Sequence, residues 1–211
     1  MKTKIYFLFI SILFLTLFSA ANAATFIVDR TDDLAGATAC NAVTPNDCSL
    51  RGAIINANAN GAGADIIQFN VGGGNAQTIT MSSTALPDIQ TSLTIDGTTQ
   101  PLFGGLPRIE INGAASVINT NGFRISSPVG NTAISVTIKS LIINRFQGSG
   151  IYFTASSGIT ATVRGCYIGI NPGGSLDQGN GNHGIRISAF PDSTFIIGGT
   201  LTGERNVISG N

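Results

Sequence analysis

Short strings of alternating apolar and polar residues recur along the second half of this 211-residue chain, and they limit its fold more than any other feature. Thr137-Ile138-Lys139-Ser140-Leu141-Ile142-Ile143-Asn144 aligns with Thr162-Val163-Arg164-Gly165-Cys166-Tyr167-Ile168-Gly169, 25 residues further on. A third copy, Thr194-Phe195-Ile196-Ile197-Gly198-Gly199, follows after another 32, with a Gly/Asn/Pro-rich insertion from Asn171 to Asn182 absorbing the extra length. Gly150-Ile151-Tyr152-Phe153 and Gly184-Ile185-Arg186-Ile187 form a second series between them. Val136, Ile138 and Ile142 are apolar while Thr137 and Lys139 are polar, which puts one set inside a strand-built body and the other outside.

Same-sense strings recurring at roughly 20 to 35 residues mark a β-solenoid, whose coils bury their apolar faces only by stacking. An antiparallel sandwich would instead show hairpin turns about every 8–12 residues. The predicted fold class is therefore all-β, a right-handed parallel β-helix.

The stretch ahead of the repeats differs. Thr25-Phe26-Ile27-Val28 reads as a strand, and Leu50, Ala53, Ile54 and Ala57 follow the i, i+3, i+4, i+7 spacing of one helical stripe. Ser49 supplies an N-cap and Gly61 a stop. Ile66-Ile67-Gln68-Phe69 and Thr78-Ile79-Thr80-Met81 read as the first β segments of the repeat body. A helix laid over the first coil would close an end that otherwise exposes apolar interior and unpaired strand edge.

These residues resemble a known family. Cys48-Ser49-Leu50-Arg51-Gly52-Ala53-Ile54 is similar to the motif that names the CSLREA domain, found at the N-terminus of exported bacterial β-helix proteins of the pectin-lyase-like kind. The likeness continues through Asn56-Ala57-Asn58, Ala64 to Phe69, Leu93-Thr94-Ile95-Asp96-Gly97-Thr98-Thr99-Gln100-Pro101, Tyr167-Ile168-Gly169 and Arg205 to Asn211. The resemblance implies an exported protein of this architecture and carries no agreed activity. Where the motif has Glu, this chain has Gly52, which loses a capping box and about 1 kcal/mol of helix propensity.

The N-terminus carries the marks of an export leader. Lys2 and Lys4 precede an apolar run from Ile5 to Phe18, and Ala21-Asn22-Ala23 offers the small-x-small pattern for cleavage between Ala23 and Ala24. The run falls short of the roughly 20 residues of a membrane anchor, and no comparable run follows. The domains expected are a signal peptide over 1–23, a capping region over 24–70 and β-helix repeats over 71–211, in a secreted or cell-surface protein. Losing Lys2 and Lys4 leaves nine basic residues against eleven acidic ones, without a basic patch, so nucleic acid is not an expected partner.

Cys40 and Cys48, close together in a turn-rich segment of an exported chain, are expected to form a disulfide, with Cys166 a small buried apolar residue. No metal or cofactor is expected, and catalytic residues stay unassigned. After Ile111 the only acids are Asp177, Asp192 and Glu204, scattered over different turns, whereas a lyase needs clustered carboxylates with a base, and a hydrolase a spaced pair. Asp32-Asp33 reads as a solvated turn. Asn182-His183-Gly184-Ile185-Arg186-Ile187 faintly resembles polygalacturonase signatures, but the Asp pair is missing and His183 reads as a turn residue. Gly179-Asn180-Gly181-Asn182 resembles a fragment of a calcium-binding nonapeptide repeat but lacks its aspartates and tandem copies, so its asparagines are read as laddering between coils.

Lys139 and Arg164, aligned by the repeat, are the candidate glycan-contact ladder. The expected function is a non-catalytic scaffold that contacts extracellular polysaccharide or other macromolecules. The alternative is a lyase or glycoside hydrolase fragment whose active site is absent or lies downstream. Glu204 to Asn211 reads as the middle of a coil, so the chain is expected to be truncated there, or to associate end to end through that uncapped coil.

Overall fold

The computed structural model describes residues 22–60, 63–73, 76–126, 133–154, 158–188 and 191–211. Most of the expected leader and the helix stop at Gly61 lie outside them. The described residues form fourteen strands, one α-helix and one 3₁₀ turn, and every strand pairing is parallel. The protein is thus an all-β chain of parallel sheets with little helix, and no helix among the described residues is long and apolar enough to cross a membrane.

Three sheets divide the strands. The six-stranded sheet holds, in order, β1 (Thr25–Val28), β2 (Asp65–Phe69), β4 (Leu93–Asp96), β7 (Ile134–Lys139), β10 (Ile159–Arg164) and β13 (Thr194–Ile197). The five-stranded sheet holds β3 (Gln77–Thr80), β5 (Ile109–Asn112), β8 (Leu141–Asn144), β11 (Tyr167–Ile168) and β14 (Val207–Ile208). The three-stranded sheet holds β6 (Phe123–Ser126), β9 (Ile151–Thr154) and β12 (Ile185–Ile187). From β4 onward the chain visits the six-, five- and three-stranded sheets in unvarying rotation.

Register follows the repeat. Thr137 stands opposite Thr162 and Ile142 opposite Tyr167, the 25-residue offset of the sequence alignment. The next offset differs from expectation: Thr194 pairs with Thr160, not Thr162, so the step is 34 residues. The same step joins Ile151 to Ile185. The insertion therefore adds two more residues than the matched strings suggest. An even slip preserves the inside–outside alternation, so the strand's composition does not reveal it.

Inward columns run continuously across the sheets. Ile67, Ile95, Ile138 and Val163 are stacked in register and fully buried. Each strand alone would leave this apolar surface wet, and packing within and between the sheets removes it from water at about 25 cal/mol per Å². Between circuits, side-chain amides take over backbone pairing. Asn180 accepts from Phe146 N–H at 3.1 Å and donates to Asn211, and Asn211 donates to the Ile168 carbonyl. Asn206 bridges Cys166 N–H and the Val163 carbonyl in the same way.

The segment Asp96 to Gln100 has a comparable use. Asp96 caps the 3₁₀ turn Gly97–Thr99 through Thr98 N–H, Thr99 Oγ1 accepts from Phe69 N–H, and the Gln100 amide bonds both N–H and C=O of Val71.

Helix α1 (Leu50–Asn60) covers the β1–β2 end, with Leu50, Ala53, Ile54 and Ala57 fully buried as their spacing predicts. Ser49 Oγ accepts the Gly52 N–H at 2.9 Å, the expected N-cap. Gly52, expected only to weaken that cap, has a packing reason. A Cβ there would lie 1.9 Å from the Ala37 carbonyl oxygen, so glycine lets the 34–38 loop cross the helix start. The disulfide between Cys40 and Cys48 fixes that loop beside β1.

Candidate functional site

The outward positions carry the chemistry, because alternation sends every second residue of each strand to the surface. On the six-stranded sheet, Asp96, Lys139 and Arg164 stand in one column. Lys139 and Arg164 are thus neighbours, but each charge already has a partner. Lys139 Nζ lies 2.7 Å from Asp96, and Arg164 Nη1 lies 2.6 Å from Glu204. Backbone N–H donation from Leu201, then the Arg164 hydrogen bond, hold the Glu204 carboxyl below its ordinary range. The two cations line a groove of about 340 Å³ with Thr98, Phe103 and Thr202.

The three-stranded sheet presents a different column, Arg124–Tyr152–Arg186, in strict register. Gly122, Gly150 and Gly184 set this up. A Cβ on Gly122 would lie 2.4 Å from the Gly150 carbonyl oxygen, and one on Gly150 would lie 2.8 Å from that of Gly184. The glycines let the circuits approach closely just before each outward residue. The Arg186 guanidinium lies over the Tyr152 ring at 4.6 Å from its centroid, a cation–π contact. Arg124 pairs with Asp88, whereas Arg186 has no carboxylate partner among the described residues. Hydrogen bonds from Thr154 and Ser188, with the charges of Arg186 and Arg124 adding, pull the Tyr152 phenol below its ordinary pKa. A guanidinium fork held on a ring, with flanking hydroxyls, forms one strip able to bind a carboxylate.

The acids are dispersed. Asp177 accepts from Gly179 N–H in the insertion, and Glu204 pairs with Arg164. Among the described residues no cluster of three His, Cys, Asp or Glu is placed to hold a metal ion. His183 is exposed in the turn before β12. Cys166 is buried and in no disulfide, and desolvation pushes its thiol pKa up to about 12. A separate groove of about 560 Å³ lies elsewhere, between the 41–46 loop, Asp29 and the ends of β1 and β2.

Asp33 corrects the expectation of a solvated Asp32-Asp33 turn. Asp32 is half exposed and pairs with Arg30, but the Asp33 side chain is only 2% exposed and takes both Nε and Nη2 of Arg51. Arg51 also donates to the Ala85 and Thr84 carbonyls, so the pair joins the helix start, the preceding loop and the loop after β3. The partner is a helix residue 18 positions away, out of reach of a local reading.

Sequence reasoning aligned Tyr152 with Arg186 but assigned them no role. The signal it missed was Gly122-Phe123-Arg124-Ile125, a third copy of the Gly150 and Gly184 strings. No protein-family model, curated protein or solved structure matches the chain.

Proposed function

We propose that the three sheets are the faces of one right-handed parallel β-helix, exported after cleavage between Ala23 and Ala24, that binds anionic extracellular polysaccharide along its three-stranded face. The fixed rotation of the chain through three parallel sheets supports the helix, and the strong right-handed bias of parallel crossovers supports its hand. The likeness of Cys48 to Ile54 to the CSLREA motif, and the cysteine pair, favour export.

One observation carries the ligand class: Arg186 lies on Tyr152 with no carboxylate partner among the described residues, in a column that repeats at the spacing of the strands. Lys139 and Arg164 extend the contact on the adjacent sheet where glycan carboxylates displace Asp96 and Glu204. The test is affinity electrophoresis in gels containing polygalacturonate, alginate or a neutral glucan, with parallel assay for unsaturated or reducing ends. Retardation by the anionic polymers without product formation is expected. Product formation would favour a lyase or hydrolase, and equal retardation by the neutral glucan would remove the role of charge.

A second reading concerns the last circuit. Ile187, Ile196, Ile197 and Ile208 are each 42–50% exposed, and the outer edges of β12, β13 and β14 have no partner strand among the described residues. A second copy pairing on these edges would bury them end to end. Light scattering should show a dimer that Ile197→Lys dissociates; a monomer at all concentrations would exclude it.

A further inference from the structure

Asp65 occupies a position that should be apolar. It opens β2 in the inward column of Leu93, Val136 and Ala161, and it is fully buried. Its Oδ1 accepts from Asn60 Nδ2 at 2.8 Å and from the Ala24 backbone N–H at 2.7 Å. Its Oδ2 is buried with no partner, and no lysine or arginine among the described residues forms an ion pair with it. A buried carboxylate with one oxygen unsatisfied and no counter-charge is costly. Ala24 lies beside it because β1 and β2 are in register from Thr25 opposite Ile66, and Ile66 N–H bonds to the Ala24 carbonyl.

We infer that leader removal completes the fold: the α-ammonium freed at Ala24 becomes the counter-ion of Asp65. This rests on reading residues 1–23 as a cleaved leader. Hydrolysis of the Ala23–Ala24 bond adds one water, leaving a carboxylate on Ala23 and an amine on Ala24. That amine takes up a proton near neutral pH, since α-amino groups titrate at about 7.7–8.0. One amide N–H donor is thereby replaced by three donors and a full positive charge. Those donors can serve Oδ1, already in place, and the orphaned Oδ2. Asn22 and Ala23 are exposed, and Ala23 runs along Gly63, where a Cβ would meet its backbone nitrogen at 2.8 Å. The leader's last residues thus lie over the surface beside the buried pair.

Two experiments separate the leader from the pairing. N-terminal sequencing of the exported protein should begin at Ala24; another start would overturn the cleavage site without touching the pair. The pair is tested on chains released by a site-specific protease, starting either at Ala24 or at Asn22, each with Asp65 or Asp65→Asn. Keeping Asn22-Ala23 should lower the folding constant about a hundredfold with Asp65 and less than about threefold with Asp65→Asn. Folding of the extended chain only with Asp65→Asn is the extreme form of the same result. Equal losses in both backgrounds, or no loss, would overturn the inference. If Asp65→Asn does not fold, amine acylation of the chain starting at Ala24 decides: the α-amine should label at least about tenfold more slowly folded than unfolded, and equal rates would overturn the inference.

Discussion

At the β1 end, α1 lays four fully buried side chains over the first strands, and a disulfide and the buried Arg51–Asp33 pair hold the covering loop in place. At the β13 end, Ile197, in register with the fully buried Val163, is half exposed, and Phe195 packs only partly against the core, edge to face on Phe153. Both ends have the same inward column, so the difference lies in what covers it. A strand in a parallel sheet draws its cohesion from what packs on and beside it, so the covered end should open last and the uncovered end first.

The comparison breaks most sharply at Arg51. Arg51→Ala leaves Asp33 buried without its counter-charge and should cost about 3–5 kcal/mol in urea unfolding. Next, Ile54→Ala at the covered end should cost about 2–4 kcal/mol, while Ile197→Ala at the uncovered end should cost less than about 1 kcal/mol. Equal effects would mean that the two ends are alike in solution.

Reducing the Cys40–Cys48 bond, which closes a loop with a sequence separation of 8, should remove about 2.5 kcal/mol by chain-entropy reasoning. Thiol counting should find one free thiol, Cys166, reactive only after unfolding. Gly52→Glu, which restores the residue of the resembled motif, should destabilise by about 1–3 kcal/mol because its Cβ meets the Ala37 carbonyl. A stabilising Gly52→Glu would show that the 34–38 loop does not cross there. The smallest effect is expected at Lys139, where replacement by Ala removes a surface pair worth about 0–1 kcal/mol.

What the sequence disclosed follows the range of each interaction. The helix stripe from Leu50 to Ala57 and the 25-residue register are periodic, so composition alone reveals them. Cys40 and Cys48 are neighbours in a short loop and were legible for the same reason. The 34-residue step was hidden because Asn171 to Asn182 makes a turn of its own, with Asn171 N–H on the Leu176 carbonyl, that no repeat predicts. Asp33 looked solvated because its partner comes from a different element. The arginines were visible one by one, but their usefulness depends on the carboxylates beside them. Asp96 and Glu204 answer Lys139 and Arg164, and no carboxylate among the described residues answers Arg186.

Hydrogen exchange of the chain starting at Ala24, with and without polygalacturonate, tests binding on the three-stranded face most directly. Added polymer should slow exchange at 123–126, 151–154 and 185–187, leave α1 and β1 unchanged, and lose its effect in Arg186→Ala. Slowing confined to the groove by Lys139 and Arg164, or unchanged exchange throughout, would contradict the account.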